Sequence, residues 1–233
     1  MFSIIIPLYN EEKNIIPLLN EIFFELKKIQ LFEIILINDY SSDKTLEKIH
    51  NYKEKKNIRI LNNKSNRGQS YSLHKGVVNS KYDTIITLDG DGQNNPKDIS
   101  KLLKIYQNQK KRCLVGGIRL KRKDNFIKII SSKLANYVRS KILQDNCSDT
   151  GCSLKIFSKK DFIRLPYFNG IHRFLPALFK NLGCSLIFEY VDHRSRKFGY
   201  SKYGTLDRLT KGVKDLFFVL KIIKEIKKKN INK

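Results

Sequence analysis

This 233-residue sequence has little that would suit export, disulfide bonding or a membrane span. No apolar run approaches the roughly 20 residues that cross a bilayer, so any membrane contact is expected to be peripheral. The N-terminus runs straight into a strand-like pattern, Phe2 to Pro7, without a basic n-region or small-residue cleavage site, and no signal peptide is expected. The four cysteines, Cys113, Cys147, Cys152 and Cys184, form no C-x-x-C pair and have no histidine at zinc spacing. They read as reduced structural thiols in a cytosolic setting. Neither G-x-G-x-x-G nor G-x-x-x-x-G-K-[ST] occurs, so neither a dinucleotide-binding Rossmann turn nor a P-loop is supported. Internal repeats and low-complexity linkers are also missing. Acidic residues are scarce, 22 against 46 basic ones, for a net charge of +24. That excess favours polyanions such as nucleic acid, anionic headgroups or phosphorylated substrates, but a lysine-rich composition throughout gives the same number. Charge alone therefore selects no function. A nucleic-acid-binding module is a remote alternative, because no helix-turn-helix or RNP-like pattern stands out, and no nucleic-acid partner is expected.

The hydrophobic content of 41%, with 11% aromatic residues, suits one folded α/β domain and argues against disorder. Residues 3–6, 33–37, 58–61 and 84–88 read as buried strands. Helices are expected from Asn14, from Ser42 or Asp43 to about Tyr52, over 68–78 and over 96–107, with Asn14 and Asn95 suited to the caps. Continuous apolar strands with helices between them predict a mostly parallel sheet covered on both faces. Beyond a strand at 113–116 come a basic stretch at 119–128, a helix over 125–142, a strand at 153–157, a helix at 174–181 and a strand at 185–190. A polar, Gly-containing loop at 193–204 precedes a last helix over 206–229. That helix carries Leu206, Leu209, Val213, Leu216, Phe217, Leu220 and Ile223 on one side.

In open sheets of this kind ligands bind beyond the carboxyl ends of the strands, and every polar cluster falls at such an end. The sharpest is Leu88-Asp89-Gly90-Asp91-Gly92-Gln93. Two carboxylates two residues apart, with glycine between and after them, can face one point and suit a hard divalent cation. The same residues are also ordinary turn formers, and the ligands that would complete an EF-hand are missing. A second cluster, Pro7, Tyr9, Asn10, Glu11 and Glu12, follows the first strand. A third follows the second strand: Asn38, Asp39, Ser41, Ser42 and Asp43. Asp43 suits a helix cap, whereas Asp39, directly after a buried strand, is expected to have no capping duty.

Together these residues resemble the family 2 glycosyltransferases, which have the GT-A fold. The resemblance runs through Pro7-Leu8-Tyr9-Asn10-Glu11-Glu12, Asn38-Asp39-Tyr40-Ser41-Ser42-Asp43-Lys44-Thr45, Asn66-Arg67-Gly68 and Asp89-Gly90-Asp91-Gly92-Gln93. It departs at Asn38-Asp39-Tyr40-Ser41, where the family usually has Asp-Asp-Gly-Ser. Asp149-Thr150-Gly151-Cys152-Ser153-Leu154-Lys155 and the segment from His193 to Gly204 are similar to the branch of dolichyl-phosphate mannose synthases and bacterial polyprenyl-phosphate glycosyltransferases. Many of that branch also carry C-terminal transmembrane helices. The resemblance covers about residues 2–205 and implies a Rossmann-like αβα sandwich. Within it, a donor-binding half spans about 1–118 and an acceptor-side half about 119–205, followed by a C-terminal amphipathic helix at 206–233. It implies donor contacts at Pro7, Tyr9, Glu11, Ile37, Asp39, Asp89 and Gly90, with phosphate contacts from Arg119, Arg196 and Lys202. It also implies Mg²⁺ or Mn²⁺ on Asp91, with Gln93 as a further ligand.

The implied activity is inverting transfer of a sugar from a GDP- or UDP-sugar to a polyprenyl phosphate, at the cytoplasmic face of the plasma membrane. The alternative acceptor is a hydroxyl of a glycolipid or polysaccharide precursor. Asp149 is where the two diverge. A hydroxyl acceptor needs a general base, and Asp149 is the candidate. A phosphate monoester, with a second pKa near 6, is already largely ionised and needs none. His172 and His193 have no ligand spacing. The last helix, with Phe217, Phe218 and flanking lysines, fits either a membrane-surface element or a helix packed on the domain with a lysine-rich exposed face.

Overall fold

The computed structural model describes residues 1–29, 31–52, 57–120, 137–196, 198 and 205–231. Its elements follow in the order β1 (Phe2–Leu8), α1 (Ile15–Glu25), β2 (Phe32–Asn38), α2 (Thr45–Asn51), β3 (Ile58–Asn62), α3 (Gln69–Val78), β4 (Thr84–Thr87), α4 (Lys97–Gln107) and β5 (Cys113–Arg119). Then come α5 (137–143), β6 (Lys155–Ser158), α6 (Lys159–Phe162), a 3-10 turn at Ile171–Arg173, α7 (Leu175–Asn181), β7 (Ser185–Val191) and α8 (Thr205–Ile231).

The strands form one seven-stranded sheet in the order β3-β2-β1-β4-β6-β5-β7. All pairings are parallel except the two made by β6, which runs against both β4 and β5. The continuous apolar runs are explained by burial on both faces. In β1, Ile4, Ile6 and Leu8 join α1 and α4 in one core layer. Ile5 points the other way, into a second layer with α3, α7 and α8, as the two-residue strand period requires. The expected αβα sandwich with a mostly parallel sheet is thus the observed architecture.

Several local expectations change. Asn14 stands at the N-cap position of α1 but makes no capping bond; its Nδ2 donates instead to Glu11 Oε2 at 2.8 Å. Asn95 does act locally, its Oδ1 accepting from Lys97 N at 3.2 Å ahead of α4. The strand expected from Ser153 begins at Lys155, because Ser153 braces the end of β4 instead of joining the ladder. Of the helix expected over 125–142, the part before 137 lies outside the described residues, as do residues 197 and 199–204 of the loop expected at 193–204. In α8, Val219, Ile222 and Ile223 are buried against the α7 side of the sheet.

Two features shape the carboxyl ends of the central strands. After β3 the chain crosses back over β2 and β1 to lay down β4, so β1 and β4 flank the point where strand order reverses. The other is the close seat of α3, which depends on Gly76. A Cβ there would lie 2.4 Å from Ile5 Cγ2 and 2.7 Å from Ile37 Cδ1. Alanine would gain up to about 1 kcal/mol of helix propensity, but overpacking two rigid β-branched side chains costs about 1–3 kcal/mol. Gly76→Ala is therefore expected to lower stability by about 1–2 kcal/mol in denaturant unfolding; an unchanged or higher midpoint would mean that α3 can move off the sheet.

Candidate active site

The Asp89–Asp91 turn is pressed onto the end of β1. A Cβ on Gly90 would stand 2.3 Å from Leu8 Cδ2 and 3.3 Å from the Pro7 carbonyl oxygen, so only glycine lets the turn lie against this strand end. On one side Gln69 Nε2 donates to Asp89 Oδ1 at 2.8 Å. On the other, Asp89 N donates to Ser153 Oγ at 3.1 Å, and that hydroxyl donates to Asn94 Oδ1 at 2.7 Å. Asp91 is 7% exposed. Its Oδ1 accepts from Gln93 N at 3.1 Å, and its Oδ2 accepts from Arg196 Nη2 at 2.5 Å. Burial, then the charge of Asp91, pushes the Asp89 carboxyl up to about 6.

Asp39 caps no helix, as expected, yet it is fully engaged. Both of its oxygens hold the loop that opens α3: Oδ1 accepts from Asn63 Nδ2 at 2.7 Å and Arg67 N at 2.8 Å, and Oδ2 from Gly68 N at 2.8 Å. The carboxylate thus holds the two residues that lead into α3 and caps none of the helix's own N–H groups. Beside it Tyr40, exposed, adopts φ of 61°. The departure from the family pattern thus falls on a left-handed position, where the usual glycine carries no Cβ penalty. Asp43 Oδ1 accepts from Thr45 N at 2.9 Å at the start of α2, as a cap would. Glu11 is buried, and its backbone N donates to Thr45 Oγ1 at 2.8 Å. Pro7 and Tyr9 are half-buried at the end of β1, and Ile37 is fully buried in β2.

Across the cleft, Arg119 at the end of β5 grips Asp149 with a two-pronged pair, Nε to Oδ2 and Nη2 to Oδ1, both 2.7 Å. His172 Nδ1 lies 2.7 Å from Ser70 Oγ, which also accepts from Gly170 N at 2.8 Å. The Ser70 hydroxyl thus ties His172 and the Gly170 backbone to the first turn of α3. Burial, then Arg173, lowers the His172 pKa to about 3. Lys202 lies outside the described residues.

A segment from Asp192 to Arg196 straps the Asp89–Asn94 turn. Arg194 N donates to Gln93 O at 2.9 Å, Gln93 Nε2 returns to Arg194 O at 3.3 Å, and Arg194 Nη1 reaches Glu21 Oε2 on α1 at 2.5 Å. Gln69, Ser153, Asn94, Arg194 and Glu21 were not singled out from the sequence. Gln69 could have been, as the first helical residue after Asn66-Arg67-Gly68. Glu21, in mid-helix, carries no sequence signal.

A divalent cation fits this turn on chemical grounds. Asp91 already holds a cationic group in a nearly enclosed position, and Gln93 turns its amide nitrogen to Arg194, which leaves its oxygen to ligate. Among the described residues no three His, Cys, Asp or Glu side chains converge as a cage. Asp91 and Gln93 would therefore share the ion with diphosphate and water oxygens, the usual habit of Mg²⁺.

The sequence model for glycosyl transferase family 2 matches residues 3–165. The chain belongs to this family. Dodecaprenyl-phosphate galacturonate synthase of Rhizobium johnstonii is 34% identical over 94% of this chain and 66% of its own length. Undecaprenyl-phosphate 4-deoxy-4-formamido-L-arabinose transferase of Photorhabdus laumondii is 33% identical over 87% of this chain and 62% of its own. The chain thus spans about two thirds of the length of such relatives. In fold it is similar to glucosyl-3-phosphoglycerate synthase from Mycobacterium tuberculosis in complex with Mn²⁺, UDP and phosphoglyceric acid. The TM-score is 0.72 at 16% identity, over 96% of this chain and 78% of that one.

The crowding of Asp89 against Asp91 has a measurable cost. Because the Asp89 pKa of about 6 lies above its ordinary value of 3.8, the folded chain binds this proton more tightly than the unfolded chain. The stability this gives is complete below about pH 4 and is lost as pH rises through about 6. Asp89→Asn is accordingly expected to raise Tm at about pH 7.5, by roughly 2–6 °C. The gain should disappear near about pH 4 in scans across that range.

Proposed function

We propose that this family 2 glycosyltransferase moves a sugar from a nucleoside-diphosphate sugar to a polyprenyl phosphate at the cytoplasmic surface of a membrane, with Mg²⁺ or Mn²⁺ as cofactor. The observation that carries the reading is the meeting, at one sheet edge, of the buried Asp89–Asp91 turn with the arginine strap from β7. Paired carboxylates with a guanidinium beside them form a place for a cation and a diphosphate together. The activities of the two relatives, both of which act on a polyprenyl phosphate, support the acceptor class.

In this reading the nucleoside lies across the ends of β1 and β2, among Pro7, Tyr9, Glu11, Ile37 and Asp39. Asp91 and Gln93 hold the cation, which when bound would neutralise charge on the departing nucleoside diphosphate. Asp89, held by Gln69, sits behind the diphosphate, and Arg196 and Lys202 supply donors to its oxygens. An acceptor phosphate oxygen attacks the anomeric carbon from the face opposite the diphosphate. The new C–O bond forms as the old one breaks, the nucleoside diphosphate leaves with the electron pair, and the configuration inverts. No proton has to be removed. That agrees with the chemistry of Asp149: both of its oxygens are committed to Arg119, so it acts by holding the acceptor side in place, with Arg119 turned toward the phosphates. Neutral His172 stands beside Ser70 at the start of α3.

Membrane contact falls to α8. Among the described residues no helix is long and apolar enough to cross a membrane. One face of α8 packs through Val219, Ile222 and Ile223. The opposite face carries Phe217, 68% exposed, among exposed Lys214, Lys221, Lys224 and Lys228, and half-exposed Phe218 lies at its margin with one side of its ring against Phe168. Aromatic residues in a lysine stripe suit an anionic lipid surface.

Nucleoside-diphosphate release from a panel of UDP- and GDP-sugars with Mg²⁺ or Mn²⁺, with and without a short polyprenyl phosphate, tests the chemistry. Release that requires the lipid phosphate is expected, with Asp91→Asn lowering it by roughly 10²-fold or more. Release independent of the lipid would move the acceptor to a hydroxyl, and no turnover with any donor would defeat the reading. For the membrane face, sedimentation with vesicles containing about 30% anionic lipid is expected to lose roughly tenfold in binding for the Phe217→Ser/Phe218→Ser double variant. Equal binding by both proteins would remove α8 from that role.

A further inference from the structure

The ion pair between Arg196 and Asp91 does more than decorate the site. The 2.5 Å contact uses Asp91 Oδ2, while Oδ1 is held by Gln93 N, so both oxygens of the carboxylate are engaged. Arg196 is delivered there by a segment docked on the same turn. Asn94 bridges His193, Arg194 exchanges two hydrogen bonds with Gln93, and Arg194 is pinned to Glu21 on α1. One step earlier, Asp192 N donates to Asp98 Oδ2 at 2.8 Å. The guanidinium therefore reaches Asp91 by design of the strap rather than by the chance swing of a surface side chain.

We propose that Arg196 competes with the divalent cation for Asp91 and that the donor diphosphate relieves the competition, which makes Arg196 the residue that couples metal binding to donor binding. This rests on the reading of Asp91 as a metal ligand. A cation on Asp91 Oδ2 must displace the guanidinium, because like charges that close repel strongly where water is largely excluded. The displaced arginine remains tethered by Arg194 at the mouth of the site and needs an anion. A diphosphate is the planar guanidinium's natural partner there. Metal alone therefore binds against Arg196, whereas metal with nucleotide binds with it. The coupling is reciprocal: the nucleotide raises metal affinity by the same factor as metal raises nucleotide affinity.

The test is Mn²⁺ binding followed by electron paramagnetic resonance on the full chain, alone and with UDP or GDP, for wild type, Arg196→Gln, Arg196→Lys and Asp91→Asn. Arg196→Gln is expected to bind Mn²⁺ alone roughly 5- to 30-fold more tightly than wild type. The factor by which nucleotide improves Mn²⁺ affinity should shrink by a similar amount, with Arg196→Lys in between. A merely structural arginine, or one that only touches the donor, would not tighten binding of the metal alone. Unchanged or weaker Mn²⁺ binding by Arg196→Gln, in a site that Asp91→Asn abolishes, overturns the competition and leaves the metal site standing. Mn²⁺ binding that ignores Asp91→Asn overturns the metal reading and the competition with it.

Discussion

Asp89 and Asp91 bring two negative charges, one glycine apart, to the buried end of β4, and much of the surrounding structure answers that charge. Burial and mutual repulsion push Asp89 up, and Lys155 and Arg119 act in the opposite sense. Gln69 and Ser153 fix Asp89 from either side, and Arg196 closes on Asp91. Left without these partners, the turn would be a site of strong self-repulsion. With them the two carboxylates are held close together, in the arrangement that the proposed cation and diphosphate would use.

Topology explains how so many partners arrive at one edge. Five parallel strands, β1, β2, β4, β5 and β7, all end there, bringing the Pro7–Glu12 turn, Asp39, Asp89–Asp91, Arg119 and the strap at 192–196. Strand β6 runs the other way, with Lys155 beside Thr87, so the segment that precedes it arrives at the same edge. Asp149 and Ser153 can therefore stand opposite Arg119 and Asp89, with no extra excursion of the chain. One reversed strand thus gives the candidate site two walls.

This division also marks what the sequence could reveal. The apolar runs of β1 and β2 and the polar residues just beyond them are local signals, because burial on both faces leaves a continuous hydrophobic stretch that stops where the cleft begins. Asp39 was found for the same reason, but its task was not, since the backbone N–H groups it holds come from 67 and 68, across a strand and a turn. Ser153 reads as the start of a strand because its neighbours are apolar, and only the register of β6 against β4 turns it into a brace. The pin from Arg194 to Glu21 joins residues 173 positions apart. In a chain with net charge +24, no local pattern separates that arginine from the rest.

The last helix shows how the two halves of the proposed function meet. Phe218 packs its ring 5.3 Å from Phe168, and Asp215 pairs with Arg173. Phe168 and Arg173 bracket the turn that sets Gly170 N and His172 against Ser70. Ser70 follows Gln69 in α3, and Gln69 is the residue that holds Asp89. Helix α8 is thus joined to the carboxylate turn by a few packed layers: α8 itself, the 168–173 segment, and the first turn of α3. A lipid-borne phosphate has to be met by a site at a fixed height above the bilayer surface. In the proposed reading, a helix anchored on one face and lysine-rich on the other would set that height, with no membrane-spanning helix among the described residues.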